Sequence, residues 1–429
     1  MPLSKINVDP LFQTGPEDLR RKKEDQRHAE YYTDTTTYIA MLPLLNAMKL
    51  FGLYHGRHSR NGSACALVYS AVISFLLMTA SLRMLLLFES NESFSPELFT
   101  KVAVTNWFIL CMIQALSSFR VWYSKDKAPG FMTDYHKLVA HCEIKHDCFA
   151  RKLRKRAVIA TSLAVSIVVI NTFLIAYLLA TSRAMDFVLS PLQMFKGYPS
   201  WVRSLLTGLA TVNLTYTSAA WVLPLAFGHC ISYVVRSELN CFNNAFSNQI
   251  DRNGAFDGDL SDYRSRHQAI TRLVKEADDL LGVQISCSLI CGLALEIFML
   301  YNTLWDGSIR HDSMQLLSYI YWIAGSGLCL VIIIYDGAMV NSAAHQSLSR
   351  LHDIKLQKHS NIRDLTEITI FLNKLSGPPI GLTAIGLFVI DKPTILTAIG
   401  MFLTYFVIVV QFRMPTSTGD DASANATLT

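Results

Sequence analysis

Seven long apolar blocks run along the chain, and polar segments separate each block from the next. Each block offers about 20 residues with few charges, enough for a helix to cross a hydrocarbon core of roughly 30 Å. A transmembrane β-barrel would instead alternate apolar and polar residues over shorter segments. The pattern therefore predicts an all-α polytopic membrane protein with seven transmembrane helices. The blocks cover residues 64–88, 102–121, 158–180, 205–235, 281–304, 316–340 and 394–412.

Composition narrows the class of protein further. Of the 429 residues, 51% are hydrophobic and only 17% are charged. Soluble chains of this length are rarely so apolar. A soluble enzyme, a disordered chain and a peripheral membrane protein are therefore excluded.

The distribution of positive charge predicts the orientation in the membrane. The amino-terminal segment and the three connections on its side of the membrane hold 29 of the 38 Lys and Arg residues. Cytosolic loops are the ones enriched in these residues. We therefore expect a cytosolic N-terminus and an extracellular C-terminus, opposite to the orientation of G-protein-coupled receptors. The polar first 37 residues contain no signal-peptide core, which agrees with this.

Modification sites follow from the same topology. Two sequons fall on the predicted outer side, at Asn91 and Asn425, and are candidates for glycosylation. All nine cysteines fall in spans or cytosolic segments. A structural disulfide is not expected there, because disulfides need an oxidising compartment.

The inner connections are predicted to be helical. Apolar residues recur at helical spacing beyond the fourth span, before the fifth span and after the sixth span. Such amphipathic helices either lie flat on the bilayer or, as we expect, pack together as an inner anchor that supports assembly. The predicted units are the cytosolic segment 1–61, spans 62–235, inner extensions 236–280, spans 281–340, an amphipathic helix 341–376, the last-helix region 377–413 and an extracellular tail 414–429.

The end of the last block carries a motif. Thr404 and Tyr405 are followed by five apolar residues and then by Gln411 and Phe412. This resembles the signature of the insect-type gustatory receptors, in an invertebrate superfamily of seven-span chemoreceptors that includes the odorant receptors. Motif-level similarity is confined to about residues 377–412, whereas similarity of topology covers most of the chain.

The resemblance implies a taste receptor in the plasma membrane that acts as a ligand-gated cation channel. Family members are tetramers in which the last helix of each subunit lines one pore, and either identical or related subunits could assemble here. The helical spacing of Thr404, Ile408 and Gln411 puts them on one face. The implied pore and gate residues are Thr404, Tyr405, Ile408, Gln411 and Phe412. Alternatives are a relative that senses light or an oxidant or signals without conduction and, less favoured, a secondary transporter.

The resemblance places a small-molecule pocket in the outer half of the spans, where depth and polarity nominate its residues. Arg83 and Glu296 are intramembrane charges that could instead pair with each other. Gln315 and Ser318, beside two aromatic residues, would suit a polar ligand. The candidates are Arg83, Trp107, Tyr177, Glu296, Gln315, Ser318, Tyr319 and Trp322.

Other chemistry has no support in the sequence. No catalytic or phosphate-binding motif occurs, so neither an enzyme nor a cofactor is predicted. The basic clusters are explained by orientation and by anionic lipids of the inner leaflet, not by nucleic acid. Five potential metal ligands lie close together in sequence, but their spacing matches no standard zinc pattern and no metal site is expected. They are His136, His141, Cys142, His146 and Cys148.

Overall fold

The protein is built from helices. The computed structural model describes residues 35–56, 60–88, 96–124, 127–140, 146–181, 188, 200–251, 253–354 and 362–411. In this part of the chain, extended pairing is limited to two isolated bridges. Its helices are α1 (Thr36–Leu50), α2 (Arg60–Leu85), α3 (Pro96–Tyr123), α4 (Ala128–Ala140), α5 (His146–Thr181), α6 (Ser200–Asn248), α7 (Leu260–Trp305), α8 (Gly307–His311), α9 (Ser313–His352), α10 (Ile362–Leu375) and α11 (Lys392–Gln411).

Seven of these helices are long and apolar enough to cross a membrane: α2, α3, α5, α6, α7, α9 and α11. The prediction of an all-α chain with seven spans is therefore confirmed. α6 is the centre of the bundle, because it packs against α3, α5, α7 and α9.

Two of the spans are much longer than a bilayer requires. α6 has 49 residues and α7 has 46, so that α6 extends over about 70 Å at 1.5 Å per residue. The turn between them ends at Asp259, whose carboxylate accepts a 2.9 Å hydrogen bond from the backbone N–H of Ser261 and caps α7. Both helices are thus long enough to extend beyond the bilayer, and their position in the cytosol stays a prediction.

The inner ends of these helices pack around aromatic side chains. The ring of Phe246 on α6 lies 5.6 Å from the ring of Tyr263 on α7 and 5.9 Å from that of Phe371 on α10. Phe246 and Phe371 are fully buried. The apolar faces of α6, α7 and α10 are therefore satisfied by one another at this end of the molecule.

Residues 376–391 link α10 to α11 and are attached to the bundle by hydrogen bonds. The Asp278 carboxylate on α7 accepts from the backbone N–H of Thr383 at 2.6 Å and from its hydroxyl at 2.8 Å. On α9, the side-chain amide of Asn341 donates to the Ile380 carbonyl at 3.0 Å. We call residues 376–391 the linker.

The linker also packs closely against α9. A Cβ atom added to Gly337 would lie only 2.7 Å from the Cβ of Ile390, so glycine allows the linker to approach the helix. The tip turns at Ile385 and Gly386, both with positive φ. The side chain of Ile390 is fully buried, whereas Leu387 at the tip is 81% exposed.

One helix was not anticipated from the sequence. α1 lies in the segment 1–61, for which no helix was predicted, yet Met41, Leu44 and Leu45 are fully buried. The helix packs against α5 and α6. Its apolar stretch is too short for a span, and an internal proline at Pro43 weakens the helical signal.

Candidate functional site

A cavity lies where α3, α5, α6, α7 and α9 meet, at the end of the bundle that is predicted to face outside. Its volume is about 70 Å³, below the roughly 300–1,000 Å³ of typical small-molecule sites. Its walls are formed by Thr100, Ala103, Val104, Trp107, Asn171, Ile175, Leu178, Leu179, Val188, Leu214, Trp221, Leu295, Met299, Tyr319 and Trp322.

Helical periodicity explains how these residues converge. The lining residues of α3 are at positions 100, 103, 104 and 107, and those of α5 are at 171, 175, 178 and 179. Both sets recur at intervals of three and four, so each helix turns one stripe toward the cavity. The cavity is thus an ordinary product of packing amphipathic stripes that do not fully fill the space between them.

Several polar groups of the wall have hydrogen-bond partners within the protein. The indole N–H of Trp322 donates to the Asn171 side-chain carbonyl at 2.6 Å, and the Asn171 amide donates to the Ser218 hydroxyl, also at 2.6 Å. The hydroxyls of Tyr319 and Thr100 lie 3.5 Å apart. The surface left for a ligand is consequently aliphatic and aromatic.

Of the predicted pocket residues, Trp107, Tyr319 and Trp322 line the cavity. The other five, which include Arg83 and Glu296, are absent from its lining. Tyr177 is half-buried elsewhere on α5. The Ser318 hydroxyl donates to the Met314 carbonyl at 2.8 Å, and the backbone N–H of Gln315 bonds to Asp312 in the cap of α9.

Asn171 was missed by sequence reasoning. It is 1% exposed and lies in the middle of an apolar span. An amide at that depth is the signal that could have singled it out, since buried polar groups in membranes require partners.

The two intramembrane charges do not pair with each other. The carboxylate of Glu296 accepts a short hydrogen bond from the Ser326 hydroxyl and so joins α7 to α9. Arg83 donates from Nη2 to the Val188 carbonyl at 2.6 Å. Arg83 lines a separate groove, and neither residue lines the cavity.

The last helix, α11, is the most weakly packed span of the single chain. None of its residues is buried, although it contacts α7 and α9. Tyr405 is 52% exposed and Ile408 40%, and both Thr404 and Gln411 are also exposed. Phe412, the remaining gate residue of the motif, lies outside the described residues.

The start of α11 is fixed by Asp391. Its carboxylate accepts from the backbone N–H of Thr394 at 2.9 Å and from the Thr394 hydroxyl at 2.7 Å. These hydrogen bonds lower the pKa of the Asp391 carboxyl, because they stabilise its ionised form. The junction between the linker and α11 is therefore well defined.

The remaining predictions concern cysteines, metals and glycosylation. Cys65, Cys111, Cys230, Cys241, Cys287, Cys291 and Cys329 are free thiols. No group of potential metal ligands comes together among the described residues. Asn91 and Asn425 lie outside them.

These features define a multi-pass helical membrane protein with a cavity among its packed spans and a last span that has no buried residue. Residues 41–415, most of the chain, match the 7tm chemosensory receptor family. The chain therefore belongs to this family, which is one of receptors and not of enzymes, and the predicted family resemblance is confirmed. No curated protein matches it by sequence.

Solved structures share the fold. The olfactory receptor OR5 of Machilis hrabei is 12% identical, with a TM-score of 0.64 over 92% of this chain and 99% of that receptor. The same receptor in complex with eugenol gives 12% identity and a TM-score of 0.64 over 87% of this chain and 98% of that one. At this identity the similarity establishes the fold alone.

Proposed function

We propose that the chain is a chemosensory receptor of the gustatory type that acts as a ligand-gated cation channel in the plasma membrane. In this proposal four copies, identical or related, place α11 around one central pore. The observation that carries the proposal is the contrast within one subunit: six spans pack together, five of them around a cavity, and the seventh has no buried side chain.

The sequence of α11 suits a pore wall. Thr404, Ile408 and Gln411 share one face, and all three are exposed in the single chain. Copies of this face would form a narrow ring of polar and apolar side chains that can close by dewetting. Phe412, next in the motif, completes the proposed gate.

The cavity is the proposed ligand site, and its chemistry favours a small apolar or aromatic molecule. Trp107, Trp221 and Trp322 offer large apolar faces. A sugar would have to bury its hydroxyls against a mostly apolar wall, where Asn171 and Trp322 are already hydrogen-bonded. The binding of eugenol by the olfactory receptor of the same fold supports an aromatic ligand. The earlier expectation that Gln315 and Ser318 favour a polar ligand loses its basis, because neither lines the cavity.

The test is to express the chain alone in a non-native cell and record current during panels of aromatic volatiles, sugars, light and oxidant. We expect aromatic compounds to evoke a cation current. Trp322→Ala should raise the half-maximal concentration about tenfold, through loss of stacking. Trp201→Ala, a matched change at a side chain that is 66% exposed, should leave it unchanged.

Pore and ligand site are distinguished by a second variant. Gln411→Ala should alter gating or permeation while ligand binding persists. Evoked currents with unaltered gating and permeation in this variant would contradict the pore assignment. A response to light, to oxidant or to sugars alone would contradict the ligand assignment and favour the corresponding alternative.

A further inference from the structure

A second concavity opens between α2 and α6. The last helix, α11, packs elsewhere, against α7 and α9. We call the concavity the α2–α6 groove. Its volume is about 590 Å³. The groove is lined by Ile73, Leu76, Leu77, Thr79, Ala80, Arg83, Phe108, Val188, Leu206, Leu209, Ala210, Val212, Asn213, Leu214 and Tyr216.

The groove opens toward the membrane. Rim residues Leu76, Leu209 and Val212 are 49%, 59% and 56% exposed, and both helices are candidate spans. From Ile73 to Arg83 the groove follows ten residues of α2, which is about 15 Å, or half of the hydrocarbon core. Its length therefore matches an acyl chain of one leaflet.

Arg83 gives the groove a polar end. It lies two residues before the end of α2 at Leu85, on the side predicted to be outside. Nη2 bonds to the Val188 carbonyl, but Nε is buried without a hydrogen-bond partner. Within the described part of the chain, Arg83 forms no ion pair. An arginine near the end of a span extends its guanidinium toward the membrane interface, where lipid phosphates are available as partners.

We propose that the α2–α6 groove binds a phospholipid of the outer leaflet, with its phosphate on Arg83 and one acyl chain extending toward Ile73 and Tyr216. Guanidinium and phosphate form strong, charge-assisted hydrogen bonds. Val188 and Leu214 line both the groove and the ligand cavity. The bound lipid is therefore in contact with the outer surface of the cavity wall.

The experiment uses the full chain in nanodiscs that contain phosphatidylcholine with a photoactivatable diazirine on one acyl chain. After irradiation, mass spectrometry maps the adducts. We expect adducts in wild type on the α2 and α6 peptides that include Leu76 and Leu209. A phosphate-free diacylglycerol carrying the same diazirine should label these peptides about tenfold less, since it lacks the partner for Arg83.

Variants test the two ends of the site. Arg83→Gln should lower labelling by the phospholipid about tenfold, whereas Arg83→Lys, which keeps the charge, should retain most of it. Ala210→Trp should abolish labelling by filling the groove. Arg120→Gln is the matched control, because Arg120 is an exposed arginine near the end of α3 and outside the groove.

Several outcomes would overturn the proposal. Equal labelling by the phospholipid and by diacylglycerol would show that Arg83 does not bind the lipid phosphate. Selective labelling by a diazirine fatty acid would identify a free carboxylate as the anion instead of a phospholipid. Adducts confined to other helices would show that the lipid does not bind in the α2–α6 groove. The comparison of probes needs only wild-type protein, so it is decisive even if Ala210→Trp misfolds.

Discussion

α6 and α11 are both long apolar helices, but the protein uses them in opposite ways. α6 is surrounded by four other spans, and Phe227, Ile231 and Val234 along it are fully buried. α11 is strongly apolar and yet has no buried residue. Hydrophobicity places a helix in the membrane, whereas its packing partners within one subunit are determined by small and polar side chains at specific positions.

The largest expected effect concerns whether the α11 helices of different copies contact one another. Its outcome is all or none. Ile408→Cys should give cross-linked dimers under mild oxidation, because the proposed pore brings this face of several copies together. Phe402→Cys, on the opposite face of α11, should not. Non-reducing electrophoresis of membranes is the measurement, and cross-links from Phe402→Cys alone would reverse the assigned face.

The next largest effect concerns α6, the buried helix of the two. Phe246→Ala should lower the stability of the subunit by about 3–5 kcal/mol, because it opens a cavity among packed aromatic rings. Phe388→Ala is the control, since this side chain in the linker is 49% exposed. Thermal unfolding of purified protein should show a clear loss for Phe246→Ala only. Equal losses for both would mean that the linker tip is as well packed as the aromatic cluster.

A smaller effect is expected where the linker joins the bundle. Asp278→Ala removes the acceptor for the backbone N–H and the hydroxyl of Thr383 and should cost about 2 kcal/mol. Hydrogen exchange should increase in residues 380–390 while the aromatic cluster stays protected. Lys275→Ala is a suitable control, because Lys275 is an exposed side chain one turn away on α7. Unchanged exchange in the linker would show that other contacts suffice to hold it.

The smallest effect is at the start of α11. Asp391→Ala should cost about 1 kcal/mol through loss of the helix cap. Since the folded-state pKa of Asp391 is lowered, the stability from this carboxylate is present above its unfolded pKa and is lost as pH falls through its folded pKa. Asp391→Asn, which keeps the cap but not the charge, should be affected less. Hydrogen exchange of residues 392–396 at neutral and acidic pH measures both the effect of the substitutions and the effect of pH.

The fold could be read largely from the sequence, because long apolar blocks and helical periodicity are local properties. Seven spans and the helical extensions of α6 and α7 follow from them. α1 could not be predicted in this way, since its 15 residues are stabilised by packing against α5 and α6 and not by its own pattern. A short apolar stretch before the first span has no unique local signature.

The candidate site was predicted in part. Trp107, Tyr319 and Trp322 could be found because aromatic residues at that depth are obvious candidates, and they do line the cavity. Gln315 and Ser318 precede Tyr319 and Trp322 on α9 but do not line the cavity. Helical phase and local hydrogen bonds to the backbone direct their side chains elsewhere. The Trp322–Asn171 hydrogen bond joins residues 151 positions apart, and no local pattern could reveal it.

The length and continuity of α7 have a mechanical consequence. Leu295 borders the ligand cavity, and Asp278 on the same uninterrupted helix holds Thr383 of the linker. The 17 residues between them correspond to about 25 Å of rigid rod. Pivoting this rod by about 5° at the cavity would move its other end by about 2 Å. α7 thus has the geometry of a lever arm, able to turn a small displacement at the proposed ligand site into a displacement at the base of α11, the proposed pore helix.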